Sequence, residues 1–280
     1  MRVAVTQMTS GGVIRENLAT AQRLVREAVA SGARAVFLPE AADFLAPPSD
    51  VATLTRSDDN AAFVHGLCDV AKEQDVWISV GVHESPQPEE EPTRCYNTHL
   101  LINQQGVICE RYRKLHLYDV DIQNGPTILE SNTTIPGESL KAPVSTSFGK
   151  LGLLTCYDMR FPEVSLSLRR QGAEILAYPS AFAVRTGAAH WAPLLQARAI
   201  DTQCYVIAAA QVGLHPGTTR SSWGHAMIVD PWGSIVAQCS DMPPFSASFC
   251  LADLNMDSLY KIRTDMPLWQ QRRVDLYPTL

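Results

Sequence analysis

The sequence lacks several features that would settle its class at once. No apolar stretch approaches the roughly 20 residues of a membrane-spanning helix. The balance is acidic, with 29 Asp and Glu against 23 Lys and Arg for a net charge of −6. No run of cations offsets it, so there is no footprint of a phosphate-backbone binder. The seven histidines form neither an H-E-x-x-H nor an H-x-H pattern, and metal-ligand spacing is missing. A G-x-G-x-x-G fingerprint is also missing, which leaves a dinucleotide without its usual phosphate loop. The seven cysteines, at 68, 95, 109, 156, 204, 239 and 250, include no C-x-x-C pair. Their number is odd and most sit in apolar runs, which points to free thiols in a reducing, cytoplasmic setting. The first strand-like run, Val3–Gln7, starts almost at the first residue and leaves no room for a signal or transit peptide. The expectation is no metal, no organic cofactor, no nucleic acid and no membrane.

What is present is ordinary for a globular protein: 280 residues, 46% hydrophobic and 19% charged. A chain this long buries roughly three-quarters of its unfolded surface and needs no disulfide staple. No linker, low-complexity tract or short repeat divides it, so residues 1–280 read as one domain.

Along the chain, apolar runs alternate with helical periodicity. Strands are expected at Val3–Gln7, Ala35–Leu38, Val76–Val82, Ala173–Tyr178, Tyr205–Ala210 and Ser248–Leu254. Helices are expected at Ile14–Ser31, Asn60–Gln74, Pro162–Gln171 and Ala189–Thr202. Hairpins join Cys95–Asn103 to Val107–Arg113, Val144–Ser147 to Leu151–Thr155, and His225–Val229 to Ser234–Gln238. The acidic stretch Gln87-Pro-Glu-Glu-Glu-Pro92 reads as a solvated loop tip. Residues 115–142 have no clear period, and a segment that long inside a compact domain is usually functional. Strand–helix–strand units with apolar strands argue for α/β layers, and the hairpins make the sheets mixed.

Cys156 follows an apolar run and precedes a helix opened by Pro162. A thiol there sits on a strand-to-helix turn, the geometry of a nucleophile elbow, and the following helix amides would favour thiolate. Glu40 leaves a second buried strand as a candidate general base whose pKa burial can raise. Lys114 leaves a third strand within Glu110–Asp119. Taken singly, each has a bland alternative: a structural thiol, a solvated carboxylate, a basic sheet edge. Three reactive types at three strand ends is a rarer coincidence, because strand ends of layered α/β folds converge on the ligand crevice. Arg160 and Glu163, three apart after the turn, read as a structural ion pair. His116, His190 and His225 read as packing or hydrogen-bonding residues.

These segments resemble the three motifs of the nitrilase superfamily of carbon–nitrogen hydrolases. Phe37-Leu-Pro-Glu40 matches the first, Tyr112-Arg-Lys114-Leu-His-Leu the second and Cys156-Tyr-Asp-Met-Arg-Phe-Pro-Glu163 the third, in the family's order. The flanks Tyr178–Phe182, Ala189–Trp191, Ala197–Ile200, Trp223–His225 and Asp230–Gly233, with Arg272-Arg273 and Asp275-Leu-Tyr277, most resemble the deaminated-glutathione amidase branch. Some animal members of that branch are fused to a histidine-triad hydrolase; this sequence has no H-x-H-x-H segment.

The resemblance implies a four-layer α-β-β-α sandwich with two mixed sheets. It implies Glu40 as general base, Lys114 as oxyanion stabiliser, Cys156 as nucleophile and Glu130 as a supporting acid. The reaction would be hydrolysis of a linear amide through a thioester, with the Tyr157 backbone N–H as a second oxyanion donor. Deaminated glutathione would give 2-oxoglutarate and cysteinylglycine. An ω-amidase acting on 2-oxoglutaramate or 2-oxosuccinamate is the alternative within the superfamily; a non-catalytic interaction module is the alternative outside it. Arg185, in a loop before the Ala189 helix, is the candidate anchor for a substrate carboxylate, with Thr186 as a hydroxyl donor. The implied partners are a small-molecule amide and a second copy of the chain, a homodimer or larger.

Overall fold

In the computed structural model, residues 1–86, 93–121, 127–240, 242 and 247–277 are described. The acidic loop 87–92 lies outside them. The first half runs β1 (Arg2–Met8), α1 (Ile14–Ala30), β2 (Ala35–Phe37), α2 (Pro48–Thr55), α3 (Asp58–Glu73), β3 (Trp77–Glu84), β4 (Cys95–Ile102) and β5 (Ile108–Arg113). A small hairpin, β6 (Asp119–Asp121) with β7 (Thr127–Leu129), and the short β8 (Thr134–Ile135) occupy the aperiodic segment. The second half runs β9 (Val144–Thr146), β10 (Gly149–Leu153), α4 (Pro162–Arg170), β11 (Ile175–Ala177), α5 (Val184–Thr202), β12 (Tyr205–Ala208), β13 (Ala210–Leu214), β14 (Ser221–Trp223), β15 (Met227–Val229), β16 (Ile235–Gln238), β17 (Ser248–Asp253) and α6 (Met256–Asp265).

Apart from the β6–β7 hairpin, the strands form two mixed sheets. One is ordered β14-β13-β1-β2-β3-β4-β5, with β17 on β1 and β8 on β4; the other is β16-β15-β12-β11-β10-β9. β13, β1, β2 and β3 run parallel, as do β10, β11 and β12; β17 and β4 pair antiparallel with the first set, and β9 and β15 with the second.

The layering follows from which face each side chain takes. Successive residues of β1 point to opposite faces, and both faces are covered, so the strand reads as a continuous apolar run. Val3 and Val5 join a core with Leu151, Leu153, Ile175 and Ala177 of the other sheet, which continues to Leu168 of α4 and Leu195 of α5. Ala4 and Met8 join a separate core with Leu24 of α1 and Phe63 and Leu67 of α3. The result is helices, sheet, sheet, helices: a four-layer sandwich.

Two sequence expectations change. Tyr205–Ala210 is not one strand. β12 belongs to the second sheet, and one residue later β13 pairs with β1 in the first. Every residue of Tyr205–Ala210 is buried and apolar, so composition carries no mark of the crossing. α5 starts at Val184, five residues before the expected Ala189. Gly187 lies inside this helix, where a Cβ would stand 2.2 Å from Trp223, so this glycine serves close packing.

Candidate active site

Glu40 leaves β2 across a tight contact with β3. Leu38 N–H donates to Ser79 O at 2.7 Å, Gly81 N–H to Pro39 O at 3.1 Å, and Ala42 N–H to Gly81 O at 2.9 Å. A Cβ on residue 81 would stand 2.6 Å from Glu40 Cα, so glycine is what lets the two strands approach. Ala41 takes a φ of 53°, a region that L-residues populate sparsely. Gln211 holds this bend: its Nε2 donates to Glu40 O at 3.0 Å and Ala41 O at 3.2 Å.

Lys114 follows β5. Its N–H donates to Asn97 O at 2.9 Å, and its carbonyl accepts from Gly137 N–H at 2.8 Å. Nζ reaches Glu40 Oε1 at 3.0 Å and the two Glu130 oxygens at 2.8 and 3.0 Å. Glu130 opens a single helical turn after β7, where Tyr118 N–H also donates to it at 2.7 Å. The Asn97 amide bridges the carboxylates, 2.7 Å to Glu40 and 3.1 Å to Glu130.

Cys156 follows β10 and carries a φ of 44°. A single 3-10 turn, Cys156–Arg160, leads into α4 with Pro162 at its start. The thiol hydrogen-bonds Glu40, and Ala181 N–H points at the sulfur. Cys156 N–H itself is used, donating to Pro179 O at 3.0 Å. Tyr157 N–H lies in the first turn, where helix geometry offers a donor no intrahelical carbonyl.

Asp158, fully buried, ties this elbow to the lysine segment. It accepts from Thr155 N–H at 2.9 Å, Tyr112 Oη–H at 2.7 Å, His116 N–H at 3.1 Å and His116 Nδ1 at 2.8 Å. Tyr112 and His116 stand two residues to either side of Lys114. His99 adds a second tie, with Nδ1 2.8 Å from Leu154 O and Nε2 2.7 Å from Ser79 Oγ. Burial lowers its pKa to about 4, so the imidazole is neutral: Nδ1–H donates and Nε2 accepts.

The electrostatics assign each proton. Burial opposes charge on Glu40, but Lys114 and the hydrogen bonds from Cys156, Asn97 and Lys114 outweigh it and hold the carboxyl below its usual value. Burial also opposes charge on Lys114, and there Glu130 and Glu40 prevail and raise it well above the lysine range. Burial, reinforced by the Glu40 charge, pushes the Cys156 thiol well up against the pull of Lys114. The resting site is carboxylate, ammonium and thiol. This reverses two expectations: burial does not win at Glu40, and the helix amides do not make Cys156 a thiolate.

The structure thus brings Glu40, Lys114, Glu130 and Cys156 together. Arg185 is exposed in the first turn of α5 rather than in a loop, and no hydrogen bond or ion pair to another described residue is seen for it. The Thr186 hydroxyl donates to Ala183 O at 3.2 Å, within its own helix start. Arg160 does not pair with Glu163. Its guanidinium lies 5.5 Å from the Tyr157 ring centre and 5.3 Å from that of Phe182, with Nη1 3.1 Å from His190 Nδ1. Its Nε is buried without a hydrogen-bond partner. Asn97, Asp158, Gly81 and Gln211 were missed by sequence reasoning. For Asn97 a signal existed, a polar residue inside an otherwise apolar strand.

The carbon–nitrogen hydrolase family model matches residues 2–264, and the chain belongs to that family. It is 48% identical to human deaminated glutathione amidase over 280 residues, 99% of this chain and 84% of that protein. The crystal structure of the Caenorhabditis elegans NitFhit protein superposes with a TM-score of 0.92 at 40% identity, covering 99% of this chain and 66% of that one. Saccharomyces cerevisiae Nit3, described as a member of branch 10 of the nitrilase superfamily, superposes with a TM-score of 0.83 at 28% identity over 98% of this chain and 96% of that chain. Fold and relatives define a hydrolase of carbon–nitrogen bonds other than peptide bonds, an amidase of the nitrilase superfamily. Among the described residues no helix is long and apolar enough to cross a membrane.

Proposed function

We propose that the chain, acting as one catalytic domain, cleaves a linear carboxamide through a Cys156 thioester. The observation that carries this reading is the Cys156 elbow facing a carboxylate that is itself clamped by a buried ammonium. Glu40, held ionised, takes the thiol proton as sulfur attacks the amide carbon. Lys114 and the Tyr157 N–H hold the developing oxyanion, and Glu130 keeps Lys114 charged and aimed. Glu40 then gives its proton to the leaving amine and draws one from the water that hydrolyses the thioester. No cofactor takes part in this scheme.

The substrate is deaminated glutathione, released as 2-oxoglutarate and cysteinylglycine, a metabolite-repair reaction. Identity of 48% to a deaminated glutathione amidase across nearly the whole chain supports this choice. So does Arg160: a guanidinium with a free buried N–H beside Tyr157 and Phe182 suits a carboxylate. It takes the place of Arg185 as the anchor. The enzyme works in the cytoplasm as a homodimer. The turn bearing exposed Trp232 packs through Gly233 on exposed Ile200 of α5, an apolar surface suited to a second copy.

Competition between deaminated glutathione and 2-oxoglutaramate tests the substrate. A higher kcat/KM for deaminated glutathione is expected; the reverse moves the chain to ω-amidase chemistry. Arg160→Ala should raise KM at least tenfold and Arg185→Ala should leave it unchanged. Light scattering at micromolar concentration should give the mass of a dimer or larger.

A further inference from the structure

A pair of sulfurs stands outside this site. Cys239 follows β16 in one sheet, and Cys250 lies in β17 of the other. Cys239 N–H donates to Ala226 O at 2.8 Å, and Cys250 Sγ lies 3.9 Å from that same oxygen. Cys239 Sγ lies 3.8 Å from Val5 O, and Val5 is the cross-strand partner of Cys250. Both sulfurs therefore meet between the sheets. Both are free thiols, Cys239 buried and Cys250 half-buried.

Three donors converge on Cys239 Sγ: the Cys250 thiol, the Ser248 hydroxyl and the Cys250 backbone N–H. The Cys250 hydrogen bond, aided by the other two, outweighs burial and holds the Cys239 thiol below its usual value. The same contact, with burial, pushes Cys250 up. The contact between the two sulfurs thus moves their thiols in opposite directions, Cys239 down and Cys250 up.

We propose that Cys239 and Cys250 form a redox modification site, a dithiol that hydrogen peroxide converts into an intramolecular disulfide joining the two sheets. The Cys239 thiolate attacks one peroxide oxygen, and the O–O bond breaks. Cys239 becomes a sulfenic acid, and the departing hydroxide takes up a proton to leave as water. Cys250, losing its proton, attacks the Cys239 sulfur and displaces the second oxygen as water. Two thiols are oxidised by two electrons, and one peroxide is reduced to two waters.

The wild-type protein is treated with hydrogen peroxide, quenched with catalase, alkylated with N-ethylmaleimide and digested without reductant. Mass spectrometry should find the Cys239 and Cys250 peptides linked, with the link lost after dithiothreitol. The two should vanish from the alkylated pool at least tenfold faster than buried Cys95 and Cys204. Oxidation should raise the melting temperature of the wild type, but not of Cys239→Ser or Cys250→Ser. Alkylation of both thiols after oxidation would overturn the proposal. So would a sulfinic acid at Cys239 beside an alkylated Cys250, or a link to any other cysteine.

Discussion

Cys156 and Cys239 are both buried thiols, 8% and 5% exposed, yet their surroundings treat the proton in opposite ways. At Cys156 the near neighbour is an ionised carboxylate, which repels a thiolate and adds to the cost of burial. At Cys239 the near neighbours are donors, which outweigh burial. Reactivity of a buried cysteine is therefore set by the sign of what faces it. On the proposed mechanism Cys156 would stay a thiol until substrate arrives, and thiolate would form only as the carbon–sulfur bond does.

The largest effect comes from removing the partners of that latent thiol. Cys156→Ala should abolish turnover and leave the melting temperature nearly unchanged, because a small side chain leaves little cavity. Glu40→Gln should cost about a thousandfold or more in kcat, in the range of a lost general base that acts as part of a unit. Near wild-type turnover in either would break the assignment of Cys156 as a thiol that needs a base.

Lys114→Met should lose about a hundred- to a thousandfold, the range for one oxyanion donor. It should also move the acid limb of kcat/KM. In the wild type Glu40 is held below its ordinary value, so its charge stabilises the fold above the ordinary carboxylate range. That contribution is lost only as pH falls through the lowered value. Lys114, raised, contributes below the ordinary lysine range and loses its effect as pH rises past the raised value. Activity should thus be flat across neutral pH. Without the ammonium, burial acts on Glu40 with no cation to oppose it, so its pKa rises and the acid limb shifts to higher pH. An acid limb that stays in place would show that something other than Lys114 holds Glu40 ionised.

Gly81→Ala tests the backbone side of the comparison. The new Cβ would force Glu40 away from β3, and a displacement near 1 Å can cost about a hundredfold in rate. Circular dichroism should remain native while kcat falls tenfold or more; unchanged kcat would mean that Glu40 tolerates the shift.

Glu40, Lys114 and Cys156 were legible because each stands where an apolar run stops, and a reactive residue at that border has few structural reasons to be there. Asn97, Asp158 and Gln211 were not, because their roles are relations between distant strands. Asp158 reads locally as the third residue of a turn, and its value lies in reaching Tyr112 and His116 across the sandwich. Glu40 misled for the same reason. Burial could be inferred from one segment, but the ammonium that overrides it comes from another. Cys239 and Cys250 gave no signal at all: the six cysteines other than Cys156 looked alike until the sheets placed these two together. Arg185 was read as a loop residue because the helix was expected from Ala189; α5 begins at Val184, and Gly187 inside it makes room for Trp223.

The smallest effect is the most direct on the comparison itself. Glu40→Gln removes the charge that pushes Cys156 up and leaves Lys114, which pulls it down. Burial still opposes ionisation, so the change is partial. The inactive variant should nonetheless hold more thiolate at a given pH than the wild type. Iodoacetamide labelling of Cys156, followed by mass spectrometry against pH, should show its alkylation profile displaced to lower pH and its rate at neutral pH raised severalfold. Cys239, facing donors rather than Glu40, should keep the same profile in both proteins and so serves as the internal reference. If Cys156 labels no faster in Glu40→Gln, burial alone sets its proton and the carboxylate does not. If both cysteines shift together, the substitution has loosened the sandwich rather than changed one charge.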